Sequence, residues 1–433
     1  MNEFFLHYVW QYQKMRTSEL FTTQGQVLRV IRPGWSNPHA GPDFLEAHLL
    51  IDDLEWIGHV EVHFLSSDWL AHQHSSDPAY DSVILHVVWE QKKEIAYKNG
   101  IPIPTLELKS ITPPELIGRY ISLTTNPTRI VCQGSWPSVE SIYKQQAIDR
   151  ACIVRLEKKV EEIALIFQAS ENNWEETAYK WWGGAFGFKL NKLSFLHLTE
   201  IVPLAILQKQ RGNILQTEAT LFGMAGLLPE IVIAQQSEYV KQIRDEFAFI
   251  QRKYSWSERK METVSWQFAR TRPGNFPTVR LAQFAQFIQK TAHISSQTLA
   301  IKSIEEAIHW LSLTQSFYWQ NQNTWEHAAK KKRQGTGKDS IHLLVINAIV
   351  PYQFFYGQYF DLPEMMDNSL HLLSLLPAEN NTIIQNWKVL EENPKDAYES
   401  QGLIGLYTQF CQTKKCLECP VGQQIIQKEP GID

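Results

Sequence analysis

The sequence predicts an α+β protein in two parts, a mixed sheet with flanking helices over residues 1–130 and a mostly α-helical region over 131–433. Three observations predict it. Short apolar runs and period-two alternation crowd the N-terminal part; apolar residues recur at three and four through most of the rest; and one long helical pattern opens near Ser138. Phe4, Tyr8, Val9 and Tyr12 fall at helical spacing, so residues 3–15 should form an amphipathic helix packed on the sheet. Strands are expected at Val27–Ile31, Asp43–Ile51, Glu55–Phe64, Val83–Glu90 and Thr105–Leu108, with Asp52-Asp53 as a tight hairpin turn.

In the second part, Ile142, Ala147, Ile148, Ala151, Ile153, Leu156, Val160, Ile163 and Ile166 mark a helix over 138–169. Further helices are expected over 173–186, 193–210, 214–227, 236–254, 279–293, 301–314, 340–356, 367–375 and 380–391, separated by signals such as Arg272-Pro273-Gly274-Asn275. The basic run Lys330 to Arg333, with Gly335-Thr336-Gly337-Lys338 after it, reads as a mobile loop. It lacks the glycine spacing and the Ser or Thr after Lys of a phosphate-cradling loop.

A chain of 433 residues with 44% hydrophobic content can bury an ample core. No apolar run approaches the roughly 18 to 20 residues of a membrane span, and the N-terminus scatters charge where an export signal would be apolar, so a cytoplasmic address and no membrane partner are expected. The net charge of −5 argues against a basic coat for nucleic acid and leaves local patches open. Three of the five cysteines, Cys411, Cys416 and Cys419, crowd near the C-terminus, which suits metal binding better than disulfides.

The chemistry concentrates between Gly41 and Glu90. In the strand around Glu61, Val60, Val62 and Phe64 make one face, while His59, Glu61 and His63 make the other. Asp43 comes directly after Gly41-Pro42, where the chain turns into the preceding strand, so its carboxylate can lean toward Glu61. Two carboxylates so placed can hold Mg²⁺ or Mn²⁺, and His63 can orient or deprotonate the attacking water. The expected activity is metal-dependent phosphodiester hydrolysis. His72 and His74, near Asp77 and Asp81, can join His63 in a site better suited to Zn²⁺ or Mn²⁺; exposure and turn capping are the competing uses. His86, inside an apolar strand, is expected in the core with one hydrogen bond.

The spacing Cys411-x4-Cys416-x2-Cys419 can grip zinc or part of an iron–sulfur cluster, with Cys132 the best fourth ligand and Cys152 a core residue. Arg252, Lys253, Arg259, Lys260, Arg270 and Arg272, interleaved with Tyr254, Trp256 and Trp266, offer cations and stackable rings to a nucleic acid. A solvated helix face with core aromatics is the plainer reading.

Gly41-Pro42-Asp43 with Glu61-Val62-His63 after it resembles the PD-(D/E)xK nuclease superfamily, whose core is a helix, a hairpin-rich sheet and a second helix. The resemblance implies a nuclease-like first domain and a nucleic-acid substrate. Its lysine position holds His63, which supplies no fixed charge to the phosphate, so the chemistry is altered or the fold is kept without activity as a binding or scaffold protein. Some nucleases of that superfamily join one distant cysteine to a C-terminal trio, and this layout is similar. Over nearly its full length the chain also resembles an uncharacterised bacterial domain-of-unknown-function family, through FLHYVW, GPDF, DPAYDSVILHVVWE, FGFKLN, RPGNFPTVRLAQFA, GKDSIHLLVINAIVP and the closing Cys-rich stretch. A zinc hydrolase of a small molecule, built on His63, His72 and His74, is the remaining alternative.

Overall fold

The first helix, α1 (Glu3–Gln11), buries Phe5, Leu6, Tyr8, Val9 and Trp10 and stops short of the expected residue 15. Gln13 turns into the left-handed region, and its side chain donates to the Trp10 carbonyl at 2.6 Å, closing the helix end. The computed structural model describes residues 2–229, 237–256 and 260–428. It is an α+β protein, with a seven-stranded mixed sheet preceding a mostly helical region.

The strands are β1 (Leu20–Phe21), β2 (Val27–Arg32), β3 (Trp35–Ser36), β4 (Phe44–Ile51), β5 (Leu54–Leu65), β6 (Val83–Glu90) and β7 (Thr105–Glu107). They lie in the order β1-β2-β4-β5-β6-β7, with β3 paired to β4. Asp52 and Asp53 form the expected hairpin turn with φ of 49° and 63°, left-handed at both positions, which short polar side chains tolerate. From β5 to β6 the pairing is parallel, and Glu61 sits opposite His86. A parallel pair needs a crossover. Here it is the segment holding α2 (Asp68–Ala71) and the short turns His74–Ser76 and Pro78–Tyr80. Trp69 and Tyr80 anchor it in a small apolar cluster with Val83, Ile95 and Ile103.

The chain divides into two compact units, Met1–Ile148 with Leu406–Asp433, and Asp149–Gly405. A boundary near residue 130, expected from the change of period, assigns the cysteine-rich C-terminus to the helices; the packing groups it with the sheet. Its helix Pro420–Gln427 packs on α3 (Pro114–Thr125), and the Gln427 amide donates to the Tyr8 hydroxyl at 2.7 Å. Nothing local in a sequence encodes a contact spanning most of its length. The helix α4 (Ser141–Ala169) carries the chain from the first unit into the second.

In the helical unit, α5 (Trp174–Phe186) and α6 (Phe188–Ile201) approach closely at Gly183, where a Cβ would lie 2.4 Å from Thr199 Cγ2. The expected helix 193–210 is split, because Pro203 leaves the helical region between α6 and α7 (Leu204–Lys209). The expected helix 340–356 exists with a π-helical turn at Val345–Ile349, just before Pro351, whose nitrogen cannot donate. Among the described residues no helix is long and apolar enough to cross a membrane.

Candidate metal centre and cysteine cluster

The polar face of β5 is not wet. The crossover folds over it, leaving Glu61 5%, His63 2% and His86 0% exposed. Alternation along β5 puts Glu61 and His63 on one face, while parallel pairing brings His86 alongside. The crossover then supplies His72 and His74.

These side chains converge. His63 Nε2 lies 3.2 Å from His72 Nδ1 and 3.5 Å from Glu61 Oε1, and His74 Nε2 lies 3.3 Å from the same oxygen. His63, His72 and His74 each offer a ring nitrogen within 4.8 Å of the others. The Tyr80 ring stacks on His74 at 3.8 Å, and Trp69 meets it edge-on, so His74 is held rigidly. His72 is exposed and opens the cluster to solvent. On the far side of His63, Nδ1 makes a 2.9 Å hydrogen bond with His86 Nε2. His86 therefore sits in the core with one hydrogen bond, as expected, but its partner belongs to the candidate site.

Asp43 stands immediately before β4. Its backbone N–H donates to Glu61 Oε2 at 3.2 Å, and its Oδ2 accepts from the Val62 N–H at 2.9 Å, so the two acidic residues meet across neighbouring strands. His7 Nε2 lies 3.5 Å from Asp43 Oδ2. His7 is absent from the candidates read from the sequence, although Glu3 and His7 at i and i+4 share a helix face, which was a legible signal. Asp77 caps a turn through the Ala79 N–H, and Asp81 pairs with Lys98. His59 accepts from the Glu46 N–H at 3.3 Å and takes no part in the cluster.

Burial first, then the charge of Asp43, pushes the Glu61 carboxyl up to about 9. Burial and the neighbouring His74 and His72 lower His63 to about 4, and burial lowers His74 and His86 as well. Neutral imidazoles keep the lone pairs a metal needs, and His74 Nε2 is buried without a hydrogen-bond partner. Ligands about 2.1 Å from a tetrahedral ion stand roughly 3.4 Å apart, close to the separations seen here. Zinc or manganese thus fits this nitrogen-rich set, whereas magnesium, which requires oxygen ligands, fits poorly.

All five cysteines are buried. Cys132, Cys411, Cys416 and Cys419 lie together, each within electrostatic reach of the other three. Cys152 is in the helical unit, a core residue as expected. Among the expected nucleic-acid residues, Arg252, Lys253, Lys260, Arg270 and Arg272 are exposed in the helical unit, and Arg259 lies outside the described residues. Two of the three expected stacking rings are not displayed. Trp256 and Trp266 are buried, and the Trp266 indole donates to the Ala225 carbonyl at 2.7 Å, because large rings gain more from packing than from display.

No curated protein and no solved structure matches the chain. A family model described as "Protein of unknown function (DUF2851)" matches residues 3–382, a span that takes in the sheet and the histidine cluster and stops before the three C-terminal cysteines. The chain therefore belongs to the DUF2851 family.

Proposed function

We propose that this protein is a metal-dependent hydrolase of phosphodiesters, with nucleic acid as substrate and with His63, His72, His74 and Glu61 holding zinc or manganese. The observation that carries the reading is the convergence of three histidine nitrogens within 4.8 Å, beside a buried carboxylate 3.3 to 3.5 Å from two of them. Such an ion, when bound, supplies Lewis-acid polarisation of a phosphoryl oxygen and lowers the pKa of water. Glu61 gives up its proton on binding, since a cation favours the charged carboxylate.

His63 Nδ1 is taken up by His86, and Nε2 faces His72 and Glu61 inside the cluster, so it serves as a ligand and not as the water-orienting base. That role passes to the pair of His7 and Asp43, each with a quarter of its side chain exposed. Within the helical unit, the exposed cations Arg252, Lys253, Lys260, Arg270 and Arg272 offer positive charge to phosphate, an attraction that falls with salt.

The test is hydrolysis of single- and double-stranded DNA and RNA with zinc, manganese or magnesium, run beside Glu61→Ala and His74→Ala and paired with metal analysis. Zinc- or manganese-supported cleavage lost in both variants is expected. Equal cleavage by wild type and Glu61→Ala would mean contamination and overturn the reading. One metal per chain that is lost in His74→Ala, without cleavage of any nucleic acid, would replace it with a small-molecule hydrolase or a binding protein.

A further inference from the structure

The histidine centre leaves the four clustered cysteines without a role. They come from three places in the first unit. Cys132 lies in a loop where its carbonyl accepts from the Ser135 and Trp136 N–H groups at 2.9 Å each. Cys411 ends the π-helical turn Leu406–Cys411. Cys416 and Cys419 form a knuckle, with the Cys419 N–H donating to the Cys416 carbonyl at 3.3 Å, and Cys419 directly precedes the helix Pro420–Gln427. A Cβ at Gly422 would lie 2.1 Å from the Cys416 carbonyl oxygen, so this helix starts tightly against the knuckle.

We propose that Cys132, Cys411, Cys416 and Cys419 bind a thiophilic metal centre, zinc or an iron–sulfur cluster, that fastens the segment Leu406–Asp433 to the sheet unit. Two cysteines separated by two residues in a turn direct both sulfurs to one point, and thiolates are the ligands both centres prefer. Burial of single thiols needs no metal, as Cys152 demonstrates: it packs in the core with no other cysteine among the groups that influence it. Four thiols gathered from positions 132 to 419 make a different case, since every one of the six pairs lies within mutual electrostatic reach. The C-terminal segment also needs an anchor. It contributes one short helix, held by Gln427 on Tyr8, Gln424 on Glu140 and Lys414 on the Thr124 carbonyl. A structural metal contributes folding energy to such a segment directly.

The experiment uses the full chain, purified without oxygen, in a His72→Ala background so that the histidine centre does not contribute. Zinc, iron and acid-labile sulfide are measured per chain. The expected result is either one zinc, or iron matched by sulfide with a visible charge-transfer band. That content is lost in Cys132→Ser and Cys419→Ser and kept in Cys152→Ser. Because serine variants can misfold, the His72→Ala protein with all its cysteines is also titrated with an organomercurial, and metal should leave in step with modification of four thiols. Background metal in the anaerobic His72→Ala protein with all its cysteines, or undiminished metal in both serine variants, overturns the proposal.

Discussion

His86 shows how much one buried ring can decide. A metal held on His63 Nε2, as proposed, would require the His63 proton on Nδ1, where it would be donated to His86 Nε2. His86 would then carry its own proton on Nδ1, a buried atom without a hydrogen-bond partner. Partners of this kind fix the tautomer and orientation of a ligand, and their removal weakens metal binding by about 10- to 100-fold. His86→Phe should therefore lower zinc affinity by that factor in competition with a chromophoric chelator. Unchanged affinity would show that His63 is held by packing alone.

A second residue, Glu218, gives a pH signature in the helical unit. It is fully buried, accepts from the Tyr239 hydroxyl at 2.5 Å, and burial raises its carboxyl from 4.5 to about 7. The folded state thus keeps a proton that the unfolded state has lost, so the stabilisation is complete below 4.5 and is lost as pH rises through about 7. Glu218→Gln should flatten that slope and stabilise the protein above neutrality by on the order of 1–3 kcal/mol, measured by denaturant unfolding across the window. A variant with the wild-type slope would rule Glu218 out as its source.

Among the elements, the pairing of β5 with β6 does most to build the candidate site, and Gly58 lets it begin. A Cβ there would lie 2.5 Å from Ile84 Cγ2 and 2.6 Å from the Ser82 carbonyl oxygen, and the backbone atom cannot move aside cheaply. Gly58→Ala should destabilise the protein by about 1–3 kcal/mol in urea titration and loosen the histidine cluster downstream. An alanine variant as stable as wild type would show that the strands can separate there at no cost. Much at this scale was legible, because five of the seven strands and most of the long helices announce themselves by local period; β1 and β3, of two residues each, are too short to do so. Two failures have a plain local cause, a proline and a short connection. Pro203 divided one expected helix, and the crossover helix α2, only four residues long, leaves too few positions for a period to show.

On the scale of the whole molecule, the sheet unit is completed by the far end of the chain. Truncation after Gly405 should expose α3 and the Tyr8 face of α1, raising hydrogen exchange in both while the helix α5 keeps its protection. Equal protection of α3 in the truncated and full chains would remove the C-terminal segment from the unit. Taken alone, the order of residues determined the α+β class, the aspartate hairpin, the alternation that puts Glu61 beside His63, and the Cys-x2-Cys knuckle, for all of these are set by chain geometry over a few positions. Only the tertiary structure decided that this polar face is covered, that His72 and His74 reach it, that His7 joins Asp43, and that Cys132 meets the C-terminal trio. Those meetings depend on which buried surfaces pack together across long stretches of sequence, and burial is a property of the assembled fold.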